Sequence, residues 1–140
     1  MGIAATADAV STALALLDLG ETKTVARAFL PYRDREQLSQ LTVTVMPRGI
    51  DRSIAARSGL AQEDHMLEVA VQKRLEGTDE AALAPLVAAL ETVAGHLSGF
   101  TIDSGRRCIE VRIDPLLAED HAVNLRVFTG VVQARFRTHV

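Results

Sequence analysis

Residues 67–97 read LEVAVQKRLEGTDEAALAPLVAALETVAGHL, and this stretch decides the fold. Leu67, Val69 and Val71 alternate with Glu68, Ala70 and Gln72, the period of a strand that buries one face. After Glu76-Gly77-Thr78-Asp79 the period changes. Leu83, Leu86, Val87, Leu90, Val93, Ala94 and Leu97 then recur three and four apart and form one stripe of a helix. Thr78 or Asp79 is placed to accept a bond from a first-turn amide, and Pro85 is tolerable because it lies near the start. No nucleophile, metal-ligand pair or phosphate loop is embedded in the unit, which points to a scaffold whose product is a surface.

Working outward, the strand from about Asp64 to Leu75 has an antiparallel partner at Leu41 to Met46, where Leu41, Val43 and Val45 alternate with Thr42, Thr44 and Met46. Pro47 and Gly49 end that partner. Arg48 to Gln62 has no period strong enough for the core and is expected to form a long hairpin tip, open to trypsin at Arg48, Arg52 and Arg57. Ile54 and Leu60 are too apolar for a plain solvent loop. With Arg52 and Arg57 able to reach acidic groups, Arg52, Ile54, Arg57 and Leu60 form the candidate subunit interface.

The rest of the chain supplies covers and flanks. Ile3, Ala7, Val10, Leu14 and Leu17 share one face of a first helix, with Gly20 placed as its left-handed stop. Val25 to Tyr32 suits an edge strand, because Pro31 cannot donate to a ladder, and Arg33 to Gln40 is a polar connector. Cys108 to Ile113 is a strand with Ile109, Val111 and Ile113 buried. Leu125 to Thr138 is the last strand, with Phe128, Val132, Ala134 and Phe136 on one face, Arg126, Gln133, Arg135 and Arg137 on the other, and Gly130 as a bulge. The expectation is one α+β domain over residues 1–140, a mixed, mainly antiparallel sheet with two main helices packed on one face.

Composition narrows the function classes. A length of 140 residues with 48% apolar and 24% charged content suits a soluble globular domain. The net charge of -3 argues against nonspecific DNA binding, which needs clustered cations to release counterions from phosphate. Of the 15 basic residues all but Lys23 and Lys73 are Arg, the cation favoured at protein interfaces. The apolar leading segment carries Asp8 and Asp18 without a basic region, so no signal peptide is expected. Cys108 is the single cysteine, which excludes an internal disulfide and suits a structural strand thiol.

A search for chemistry finds little. His65, His96, His121 and His139 show no zinc-ligand spacing, and Glu119-Asp120-His121 lacks a shaped loop to converge on an ion. Ser58 and Ser104 lack the glycine two residues earlier that a nucleophile elbow uses, and no dinucleotide or P-loop pattern occurs. No metal or cofactor is therefore expected. The one acid-base candidate is His65 with Asp64 and Glu68, which would need a cleft around it.

Three segments together resemble small phage proteins of the tail-terminator or tail-completion class, from the neck of long-tailed phages and prophages. They are Val25-Ala26-Arg27-Ala28-Phe29 leading to Leu41 through Gly49, Leu67 through Leu97, and Phe128 through Arg137, about two-thirds of the chain. The resemblance implies a non-enzymatic virion protein, assembled in the bacterial cytoplasm. It would form a homo-oligomeric ring, commonly a hexamer, that caps the tail tube. Its implied partners are further copies of itself, the tail tube protein and the head-tail connector protein, with no membrane and no sequence-specific nucleic acid. The negative charge suits a channel through which DNA must slide. No family site residues carry over, because the class has no catalytic motif. The alternatives are another neck component, such as a head-tail stopper or connector, and a small ligand-binding domain or hydrolase using His65, Asp64 and Glu68.

Overall fold

The computed structural model describes residues 2–31, 38–54, 61–103 and 106–139. The elements run α1 (Ile3–Ala15), β1 (Lys23–Arg27), β2 (Leu41–Ile54), β3 (Ala61–Arg74), α2 (Glu80–Leu97), β4 (Thr101–Asp103), β5 (Arg106–Ile113) and β6 (Val127–His139). They form an α+β fold with one six-stranded sheet of order β1-β2-β3-β6-β5-β4. Only β1 and β2 are parallel neighbours; the other pairs are antiparallel.

β3 is the axis of the sheet. It pairs with β2 from Thr42↔Gln72 to Ile54↔Ala61, and with β6 from Gln62↔His139 to Arg74↔Val127. Leu67, Val69 and Val71 face the helices and are at most 1% exposed, as the alternation requires. From α1, Ala7, Val10 and Leu14 pack into the same core, and from α2, Leu86, Ala89, Leu90, Val93 and Leu97 do so. Each fully buried Leu or Val of this kind contributes roughly 1.5–3 kcal/mol of transfer free energy. Asp79 caps α2, its side chain accepting from the Ala82 amide at 3.0 Å, and the helix runs through Pro85 in its second turn.

Several expectations are corrected. The hairpin is mostly ladder: β2 continues to Ile54 and β3 begins at Ala61, so Arg48 and Arg52 lie within a paired strand. A bulge between Pro47 and Gly49 lets β2 pass through the proline without losing its partner. The edge strand is shorter than Val25 to Tyr32 and ends at Arg27. α1 stops at Ala15, so Gly20 does not cap it. Gly20 instead adopts a left-handed conformation, φ 89°, in the turn towards β1, where its N–H donates to Asp18.

The remaining corrections lie at the other side of the sheet. Ile109 occupies a bulge between Cys108 and Glu110 and is 44% exposed, while Cys108 takes the buried place beside Phe136. Gly130 is no bulge, since it pairs in register with Val71. A Cβ there would stand 2.6 Å from Leu90 Cδ2 and 2.8 Å from the Leu116 carbonyl oxygen, so glycine is what lets α2 and residues 114–118 close on β6. That segment lies along β6, with Asp114 N–H donating to the Val131 carbonyl and Ala118 N–H to the Thr129 carbonyl.

Candidate functional site

The two faces of the β2-β3 hairpin carry different polar networks. On the helix side, Arg106 donates to Thr6 Oγ1 at 3.0 Å, and Thr6 Oγ1 lies 2.8 Å from His65 Nδ1. His65 Nε2 lies 2.5 Å from Glu63 Oε1, and the other Glu63 oxygen accepts from Arg52 Nε at 2.6 Å. A proton on His65 Nε2 satisfies every partner, with the Thr6 hydroxyl donating to Nδ1. The carboxyl of Glu63 is held below its usual range, first by the His65 bond and then by Arg52. Thr6 and His65 are fully buried, so the chain of contacts ties α1 to Arg52, whose own side chain is 73% exposed.

The opposite face carries an arginine ladder. Asp64 accepts from Arg137 Nε at 2.9 Å and Nη2 at 3.0 Å, and from Arg135 Nη1 at 2.9 Å, while Arg135 also reaches Asp51 at 3.2 Å. Arg137 first, and Arg135 with it, hold the Asp64 carboxyl below the usual carboxylate range. Arg135 and Arg137 therefore neutralise a carboxylate of their own chain, where the sequence alone left them open to an acidic partner. Beside them, Arg48, Glu68, Glu110 and Arg135 line a shallow depression of about 220 Å³ over Met66.

This geometry separates the residues of the acid-base candidate. His65 is 0% exposed on the helix side, Asp64 is locked to two arginines on the other, and Glu68 pairs with Arg48 at 3.5 Å. Adjacent residues of a strand point to opposite faces, so no cleft can gather His65 with Asp64. His121 binds Thr129 Oγ1 at 2.8 Å from the turn His121–Leu125. Among the described residues, no three His, Cys, Asp or Glu side chains gather as a metal site. Cys108 is buried, and burial pushes its thiol up, away from the thiolate that a nucleophile needs. No helix among the described residues is long and apolar enough to cross a membrane.

Of the four candidate interface residues, Arg52 and Ile54 stand on the helix-side face of β2, and Arg57 and Leu60 lie outside the described residues. Ile54 is 76% exposed, and Ile50, two pairs further along the same face, is 48% exposed. Thr6, Glu63 and Arg106 were missed in the sequence. The alternation that puts Leu67 inside also puts Glu63 and His65 inside, and that was the available signal.

No protein family matches the sequence, and none of the curated proteins is similar to it. Among solved structures, the fold is similar to that of a chain from the "virion of native gene transfer agent (GTA) particle". The TM-score is 0.52 at 15% sequence identity, and the match covers 82% of this chain and 78% of that chain. At this identity the likeness shows a shared fold and no more.

Proposed function

We propose that this chain is a structural virion protein, a tail terminator that caps the tail tube and joins it to the head-side connector. The observation that carries the reading is the fold held in common with a virion chain over 82% of this one. The sequence resemblance to neck proteins points the same way and supplies the finer role. In that role copies of the chain form a ring, a hexamer, with the tail tube protein below and the connector protein above. It acts without catalysis, within the virion.

Support from the site is physical. Arg52 is held outward by a buried network anchored in α1, and Ile50 and Ile54 stand exposed beside it on a paired strand. A preorganised Arg flanked by apolar side chains loses little freedom when a partner covers it. In this reading Arg52 and Ile54, with Arg57 and Leu60, meet the neighbouring subunit. Deleting the gene from the genome that encodes the particle tests the role. Loss of the terminator should give tails of uncontrolled length and heads without tails, with both restored by supplying the chain in trans. Normal tail length in the deletion would refute the role.

A further inference from the structure

On the outer face of the sheet the strand registers set Glu110 of β5, Arg135 of β6, Met66 of β3 and Gly49 of β2 side by side in one row. The row is hollow in the middle, for three reasons. Gly49 contributes no side chain. Met66 lies down towards it, with its methyl 2.7 Å from where a Cβ of residue 49 would stand. Arg135 leaves the row, because its guanidinium is drawn across β3 to Asp64 at 2.9 Å and Asp51 at 3.2 Å. The result is the depression of about 220 Å³ over Met66, with Glu110 on its rim.

The cations around Glu110 are directed elsewhere. Arg135 stands opposite it in the ladder but serves Asp64 and Asp51. Arg112 pairs with Asp114 at 3.1 Å, and Arg48 pairs with Glu68 while donating to the Phe29 carbonyl at 2.9 Å. Arg107 lies towards Gly99, its Nη2 3.8 Å from where a Cβ of that residue would stand. Among the described residues Glu110 takes part in no ion pair, and it is exposed to a partner.

The same face shows what such a carboxylate takes when a methionine lies beside it. Arg48 rests Nη2 on Met46 Sδ at 3.3 Å while its Nε meets Glu68 at 3.5 Å. Arg135 rests Nη2 on Met66 Sδ at 3.3 Å while its Nη1 meets Asp64 at 2.9 Å. In both, one edge of a guanidinium lies on sulfur and another part of it meets an acid. The depression repeats the pattern, with Met66 as its floor and Glu110 at its wall. Arginine suits it better than lysine, since the planar fork is less strongly hydrated and can meet a carboxylate through two bonds. The flexible thioether adapts to the stem.

We propose that this depression receives an arginine side chain presented by a partner protein, with its aliphatic stem over Met66 and its guanidinium on the Glu110 carboxylate. The site lies on the sheet face opposite Arg52 and Ile54, so it is a second contact surface and does not depend on the virion reading.

The probe is arginine blocked at both ends, N-acetyl-arginine methylamide, titrated into the full chain and followed by NMR at the Met66 methyl and the Gln133 amide. The comparison is the same compound built on citrulline, which keeps the shape and loses the charge, and on glutamate, which reverses it. Blocked arginine should shift both signals saturably, and blocked glutamate should shift neither. Blocked citrulline, and blocked arginine with Glu110→Gln, should each bind about tenfold more weakly or worse, the size expected when a hydrogen bond loses its charge. Glu110 is exposed, and thermal unfolding checks that the variant keeps its fold. Gly49→Ala serves as a second variant; it should weaken binding by lifting the Met66 methyl into the depression. Citrulline or glutamate binding as tightly as arginine would overturn the proposal, because the occupant would then be apolar or acidic. Unchanged binding in Glu110→Gln or in Gly49→Ala would overturn it as well, by placing the arginine elsewhere, and so would the absence of saturable binding to the wild-type protein.

Discussion

Asp64 concentrates the electrostatics of the outer sheet face, because it is almost covered and accepts three bonds from two arginines. A carboxyl whose folded value is depressed binds protons less readily than in the unfolded chain. Its stabilisation is fully present above the ordinary aspartate value, about 4, and is lost as pH falls through the folded value. Chemical denaturation from about pH 5 down to about pH 2 should therefore show the wild-type protein losing stability more steeply than Asp64→Asn. Equal slopes would mean that the ladder contributes nothing to acid sensitivity. Gly130 makes the opposite kind of demand, for space rather than charge. Gly130→Val should lower stability by about 1–3 kcal/mol in thermal unfolding, the range for overpacking a close-packed contact. The Leu116 carbonyl is backbone and cannot swing aside as the Leu90 methyl can.

At the scale of the elements, β2 is unusual in belonging to two environments. Its first half is buried on both faces, and its second half stands exposed, paired with β3 among the described residues. Ile54→Asp changes only the exposed half and should leave stability within about 1 kcal/mol of the wild-type protein, as expected of a surface change away from the core. Early melting of that variant would place Ile54 in the core. Trypsin should cut slowly at Arg48 and Arg52, since both lie in a paired strand; rapid cleavage there would show that the outer half of the hairpin opens easily. The same strand marks how far the sequence could be read. Leu41 to Met46 and Leu67 to Val71 alternate because one face meets the helices, so their period is visible in the residues. Arg48 to Ile54 has no buried face to impose a period, so its residues read as loop. An isolated strand glycine such as Gly130 signals either a bulge or a close approach, and only the position of Leu90 decides between them. The network through Thr6 and Arg106 joins residues 100 positions apart, a pairing that no local pattern records.

As a whole molecule, the chain places its helices on one side of a six-stranded sheet and its arginine ladder on the other. Exposed isoleucines and a preorganised arginine line the hairpin, and the functional reading rests on that surface. The fold is shared with a virion chain, and the proposed neck role would give that surface its task. Cryo-electron microscopy of the head-tail junction, in particles made by the genome that encodes this chain, tests the account most directly. The account predicts a closed ring of copies at the head-proximal end of the tail tube, with the β2-β3 hairpin of each at the boundary with its neighbour. Particles that lack the chain, or that hold it as a single copy away from the junction, would contradict it.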